Sequence, residues 1–299
     1  MTDSELMLEH MARAVGAARQ QLPYEEPVLP EADIPDQAEH KDCLVSVIAS
    51  GSSGNATFIQ CGNTRVLLDA GISCRRINKG LERCGCTIAD IDALFITHEH
   101  SDHVSGLPTL LKRSHFPVYT TLETWQAMGT KVAAFQNRFV RLPRCASIGD
   151  VQVRPFEISH DAARPVGYSF LSGDQKITVA TDLGYVSPDV EEAAAFSDIL
   201  VLEANHDEEL LRHGPYPLYL QSRILGRRGH LSNTAAAELL ARLPRKDMMK
   251  VLLAHRSEKN NTPAVSLGTT RTILNEAGIR LGQDMIIRLA CQKGNVQFQ

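Results

Sequence analysis

Six short apolar runs, each delivering a histidine, aspartate or glutamate at its end, constrain this chain more than any other feature. Val66-Leu67-Leu68 ends in Asp69, Ala93-Leu94-Phe95-Ile96 leads to His98, and the strand-like piece Glu157-Ile158-Ser159 delivers His160. Ile177-Thr178-Val179-Ala180 leads to Asp182, Ile199-Leu200-Val201-Leu202 ends in Glu203, and Val251-Leu252-Leu253-Ala254 ends in His255. Most are continuous in hydrophobicity where a half-exposed strand would alternate, so they read as strands buried on both faces. Functional groups gathered at one edge of such strands are where layered α/β folds build their sites.

Helical patterns lie between the runs. Val104, Leu107, Leu110 and Leu111 form one apolar face directly after the first histidines. Ala236, Leu239, Leu240 and Leu243 form a second behind an N-cap at Ser232, a serine oxygen being well placed to satisfy a free amide of the first turn. Thr262-Pro263 opens a third helix, which runs to about Ala277 and is stopped by Gly278. Strands alternating with helices throughout predict an α/β fold, a four-layer αββα sandwich with two sheets between helices.

Composition sets the boundaries. With 299 residues, 43% of them hydrophobic, the chain has material for a substantial core. Apolar runs of membrane-spanning length are lacking, as is the basic-then-apolar layout of a signal peptide, so the expected location is cytoplasmic, away from membranes. The net charge of -4 is unevenly spread: residues 1–42 hold 10 acidic and 3 basic residues, the remainder 25 acidic and 28 basic. The chain therefore divides into an acidic N-terminal extension and linker (1–42) and a mildly basic domain (43–299). Residues 21–40 are rich in Pro and Glu, as linkers are, and residues 4–20 suit a short helix. The seven cysteines form no Cys-x-x-Cys pair and read as reduced and structural.

The densest chemistry is THEHSDHVSG, Thr97 to Gly106, which contains His98-x-His100-x-Asp102-His103. Two apart in an extended segment, His98 and His100 point to the same side and can grip one ion. Asp102 and His103, just past the bend, are placed to grip a second. Imidazole and carboxylate without thiolate suit zinc, manganese or iron; the competing reading is a solvated polar turn. Taken alone, His160 or His255 suits a hydrogen-bonded core position, but each follows a strand as the other site residues do.

THEHSDH, preceded by the strand ending in Asp69-Ala70-Gly71 and followed by His160 and Asp182, resembles the metallo-β-lactamase superfamily from Leu44 to about Gln299. SGSSGN (50–55), ISHDA (158–162), TDLGYVS (181–187), LEANHD (202–207), GHLSN (229–233) and SEKNNTP (257–263) are similar to the bacterial WalJ (YycJ)-like group, for which the implied activity is 5′ exonuclease action in DNA repair. The resemblance implies a first metal held by His98, His100 and His160, a second held by Asp102, His103 and His255, and Asp182 bridging both. Asp69 joins Asp102 and His230 among the implied catalytic residues as a carboxylate that orients ligands. Two ions roughly 3.5–4 Å apart would activate a shared water for phosphodiester hydrolysis. His230 sits 25 residues before His255, much as the general-acid histidine of ribonuclease Z-like enzymes precedes their last ligand; the alternative is that it caps the following helix.

Substrate contacts are read from the residues around these motifs. Ser52, Ser53 and Asn55, in a flexible turn, offer hydroxyls and amides to a phosphate, or form only a tight turn. Arg227 and Arg228, with Arg223 and Arg256, concentrate positive charge near the site, as nucleic-acid contacts or as a solvated face. Asn260 and Asn261 are candidates for reading a strand end, while Glu203 and His206 brace the site. The resulting expectation is a binuclear-metal phosphodiesterase, a 5′-to-3′ DNA exonuclease whose partners are DNA ends and repair proteins. The alternatives are an RNA-processing nuclease of ribonuclease Z type, or a small-molecule hydrolase of thioesters or cyclic phosphodiesters, which a narrow apolar pocket would mark.

Overall fold

The computed structural model describes residues 43–292 and 294–299, so the acidic extension, with the short helix expected in it, lies outside the described residues. The strands are β1 (Cys43–Ala49), β2 (Ala56–Cys61), β3 (Thr64–Leu68), β4 (Ala93–Phe95), β5 (Val118–Thr120), β6 (Phe139–Arg141), β7 (Ala146–Ile148), β8 (Val151–Glu157), β9 (Val166–Ser172), β10 (Gln175–Ala180), β11 (Ile199–Glu203), β12 (Met249–Ala254), β13 (Met285–Leu289) and β14 (Val296–Phe298). The helices are α1 (Cys74–Glu82), α2 (Ser101–Val104), α3 (Leu107–Leu111), α4 (Leu122–Ala127), α5 (Pro188–Ala194), α6 (Glu208–Arg212), α7 (Leu218–Leu225), α8 (Asn233–Arg242) and α9 (Pro263–Glu276).

The strands form two seven-stranded mixed sheets, ordered β14-β1-β2-β3-β4-β5-β6 and β13-β12-β11-β10-β9-β8-β7. In the first, β3, β4, β5 and β6 run parallel; in the second, β10, β11, β12 and β13 do. Parallel neighbours need crossover connections, and these carry the helices onto the outer faces. The continuous apolar runs follow from this layering, because alternate residues enter different cores. Val66 and Leu68 join Phe95, Tyr168 and Val201 between the sheets, while Leu67 packs outward with Ile77 and Leu107. On the other side, Leu200 and Leu202 pack outward with Leu239, Leu240 and Leu274. A fully buried Val or Leu side chain contributes about 1.5–3 kcal/mol, which fixes the strand ends that carry the site.

The structure differs from the sequence expectations in three places. The apolar stripe from Val104 to Leu111 is two short helices, α2 and α3, parted where Gly106 N donates to Ala70 O at 2.8 Å. A Cβ at Gly106 would meet Ile72 O at 1.9 Å, so the close approach needs glycine and interrupts the helix. Strand β8 ends at Glu157, which leaves Ile158 and Ser159 in the loop before His160. The expectation that every cysteine is reduced is corrected as well. Cys43 and Cys61 face each other across β1 and β2 and their sulfurs are bonded, whereas Cys74, Cys84, Cys86, Cys145 and Cys291 are free. The other two helices begin at their expected caps, Ser232 and Thr262.

Candidate metal centre

The parallel strands end at one cleft, and the backbone is sharply bent at three of those ends, two lining the cleft and one beneath it. Asp69, Asp182 and His255 have φ of 60°, 61° and 53°. This left-handed conformation costs a residue with a Cβ roughly 1–2 kcal/mol. Tertiary contacts hold it: Asp69 N donates to Phe95 O at 2.9 Å, and His255 N donates to Ser50 Oγ at 2.7 Å. Strained backbone of this kind concentrates at functional sites. The histidine loop is seated as closely, since a Cβ on Gly71 would lie 1.6 Å from Asp102 O. From the other sheet, Tyr168 Oη donates to Ile96 O at 2.8 Å, just ahead of the histidines.

Four groups of ligand atoms form within this cleft: His98, His100 and His160; Asp102, His103 and His255; His98, His103 and Asp182; and Asp182, Glu203, His230 and His255. Asp182 stands between the two histidine clusters. Its Oδ2 lies 3.2 Å from His103 Nε2, and its Oδ1 lies 3.5 Å from His255 Nε2 and 3.7 Å from His160 Nε2. Burial works against ionisation of this carboxyl, but the imidazoles of His255 and His103 outweigh it and hold it well below the usual carboxylate range.

A ring of hydrogen bonds fixes which imidazole nitrogen faces the cleft. His103 Nδ1 donates to Asp69 Oδ2 at 2.8 Å, His160 Nδ1 to Gly229 O at 3.0 Å, and His255 Nδ1 to Glu203 Oε1 at 3.0 Å. The Thr97 hydroxyl donates to Asp69 Oδ2 at 2.9 Å and accepts from His98 Nδ1 at 3.0 Å. Each ring so held turns its Nε2 to the cleft, as metal-binding histidines do. The donor set fits divalent cations: His98 Nε2 is buried without a hydrogen-bond partner, and His160 Nε2 faces His100 Nδ1 at 3.3 Å. A buried lone pair without a partner, as at His98, is costly.

Glu203 organises the opposite wall. Its Oε1 accepts from both His230 Nδ1, at 2.8 Å, and His255 Nδ1, while Oε2 accepts from Leu183 N at 2.6 Å and Leu231 N at 3.2 Å. Burial raises this carboxyl, but the imidazoles of His230 and His255 prevail and bring it down to about 2. His206 is buried and neutral, its ring pushed down to about 4 by burial; it braces the wall through its carbonyl, which accepts from Asn233 N at 2.8 Å. The cap of α8 is Ser232, whose hydroxyl accepts from Ala235 N at 3.2 Å. His230 is thus left to line the cleft.

Several expected site residues stand elsewhere. Asp69 is buried beneath the cleft and acts through His103, so it is a positioning residue. Asn55 braces the histidine loop: Nδ2 donates to Asp102 O at 3.2 Å and lies 3.1 Å from His103 Nε2, while Oδ1 accepts from Gly51 N at 2.8 Å. Of the turn residues, Ser52 and Ser53 are exposed and Ser52 lines the cleft. Asn260 and Asn261 cannot read a strand end, because both are buried. Asn261 Nδ2 serves Ala204 O, Asn205 O and Asn233 Oδ1, and its Oδ1 accepts from Thr262 N. Arg227 and Arg228 are exposed beside the cleft instead of lining it; Arg227 lies over the Tyr185 ring at 4.3 Å, and Arg228 Nε reaches His160 O at 3.4 Å.

Asn205 and Asp161 also belong to the site, although no local signal marks them out within LEANHD (202–207) and ISHDA (158–162). Asn205 Nδ2 donates to His255 O at 2.7 Å, and Asp161 lines the cleft beside His160. The cleft itself encloses about 220 Å³ and mixes metal-ligand, polar and a few apolar side chains such as Leu220 and Ile224.

A four-layer sandwich with histidine and aspartate clusters at the ends of its parallel strands defines the metallo-β-lactamase-fold hydrolases. The chain belongs to this superfamily: residues 64–255 match the Beta-lactamase superfamily domain. Within it the chain is WalJ (YycJ)-like. It is 36% identical over 244 residues to Exodeoxyribonuclease WalJ of Streptococcus pneumoniae serotype 2 (strain D39 / NCTC 7466), spanning 80% of this chain and 91% of that protein. Identity to Exodeoxyribonuclease YycJ of Bacillus anthracis is 34% over 241 residues, again 80% of this chain and 91% of the relative. The crystal structure of unliganded yeast PDE1 shares the fold, with a TM-score of 0.62, 14% identity, and 87% of this chain matched to 100% of that one.

Proposed function

We propose that the chain is a binuclear-metal phosphodiesterase, a 5′-to-3′ DNA exonuclease acting at DNA ends in repair. The observation that carries this reading is the placement of Asp182 between two three-residue ligand groups, with His230 held beside them by Glu203. His98, His100 and His160 would hold one ion and Asp102, His103 and His255 the other, as zinc, manganese or iron. Ions so placed would lower the pKa of a bound water and neutralise charge developing on a phosphodiester. His230, its Nδ1 committed to Glu203, presents Nε2 for protonating the leaving oxygen. That the WalJ and YycJ relatives are exodeoxyribonucleases supports deoxyribonucleic acid as substrate. No helix among the described residues is long and apolar enough to cross a membrane.

End-labelled DNA tests the reading. Linear duplex with a 5′ phosphate should be digested to mononucleotides or short products, while covalently closed circles survive. Prompt nicking of closed circles at comparable rates would refute exonuclease action, and digestion of RNA alone would move the protein to the ribonucleases.

Arg227 and Arg228, exposed at the rim, are assigned to the strand backbone beyond the cleft. Replacing both by Ala should weaken DNA binding and reduce the slope of log K against log salt concentration by roughly 0.7–0.9 per lost phosphate contact. A titration across ionic strengths with an unchanged slope would mean the pair is only solvated surface.

A further inference from the structure

Among the described residues lining the cleft, Arg223 is the one guanidinium or ammonium group. It stands on α7, where Leu220, Arg223 and Ile224 share the face turned to the cleft, as i, i+3 and i+4 positions do. Across the cleft, Asp161 follows His160 directly. Its Oδ2 accepts from Arg223 Nε at 2.6 Å, while its Oδ1 lies 3.4 Å from His160 Nε2 and 4.0 Å from His100 Nε2. That Oδ1 is buried and makes no hydrogen bond. One carboxylate therefore separates Arg223 from the imidazoles of the first ligand group.

Resting on the nuclease reading, we infer that Arg223 grips the terminal 5′ phosphate of the DNA strand, and that Asp161 holds the guanidinium ready in the free enzyme and yields it on binding. The exchange favours the strand. The Arg223 and Asp161 side chains are 56% and 29% exposed, and ion pairs this open are worth only about 0–1 kcal/mol. A guanidinium has five N–H donors, of which Nε is one, and a terminal phosphate can accept two in parallel with more charge than a diester carries. The released Asp161 remains on the side of His160 and His100, where its Oδ1 already points. Arg227 and Arg228, outside the cleft, cannot take this part.

The test is steady-state kinetics of the full-length, metal-loaded protein on matched linear DNA bearing either a 5′ phosphate or a 5′ hydroxyl. The wild type should prefer the phosphate. Arg223→Ala should raise KM on phosphorylated DNA by about 10–100-fold, the loss of charge-assisted bonds, while kcat changes far less and the end preference collapses. Arg223→Lys should restore the preference only in part, since an ammonium lacks the fork. Asp161→Asn should lower KM for the phosphorylated end by freeing the guanidinium, and metal content should be unchanged in all three. Equal losses on both ends after Arg223→Ala, or a wild type indifferent to the end, would overturn the assignment while leaving the nuclease reading intact. Failure of the wild type to cleave either DNA would overturn the nuclease reading and this inference with it.

Discussion

Asp182→Ala should abolish turnover, a loss beyond the roughly 10²–10³-fold of a single missing electrostatic contact, and should release metal from both halves of the centre at once. The expectation follows from the shared contacts of one carboxylate, whose oxygens lie within 3.2–3.7 Å of His103, His160 and His255. Asp182 is also the anion that offsets the buried imidazoles around it, being 2% exposed. Without it the two histidine clusters lose the carboxylate between them, and breaking a buried pair costs about 3–5 kcal/mol. Metal content and rate measured on one preparation decide the matter. A variant that keeps its full metal complement would mean that Asp182 does not bridge.

His230→Ala should separate chemistry from metal binding. The protein should retain both ions and lose roughly 10²–10⁴-fold in turnover, the range for a missing general acid. The geometry makes the experiment sharp, because His230 falls outside the two three-residue groups assigned to the ions yet joins Asp182, Glu203 and His255 in another set of close donors. If His230 binds metal through that set, the substitution will lower metal content. If it only positions Glu203, the loss of rate will be accompanied by a disturbed His255, since both rings bond to the same Glu203 oxygen.

Much of the candidate site is legible in the sequence because its signals are local. The apolar runs and the residues that end them are contiguous, and the six-residue spacing from His98 to His103 needs no tertiary information. The N-caps at Ser232 and Thr262 are similarly local. What escaped depends on approaches between distant segments. Gly106 breaks a helix because it donates to Ala70, 36 residues earlier. Asn261 is spent on carbonyls 56 and 57 residues away, so an apparently available amide is unavailable. Cys43 and Cys61 are brought together by the register of a hairpin, which the count of seven cysteines conceals. Arg223 meets Asp161 across 62 residues; in sequence it is merely one of three neighbouring arginines.

One chain is expected to hold two cations about a shared carboxylate. Anomalous diffraction from crystals grown with manganese tests it directly. Two peaks roughly 3.5–4 Å apart are expected, one among His98, His100 and His160 and the other among Asp102, His103 and His255, with Asp182 reaching both. A single peak at saturating manganese, or a second ion seated away from Asp182, would contradict it.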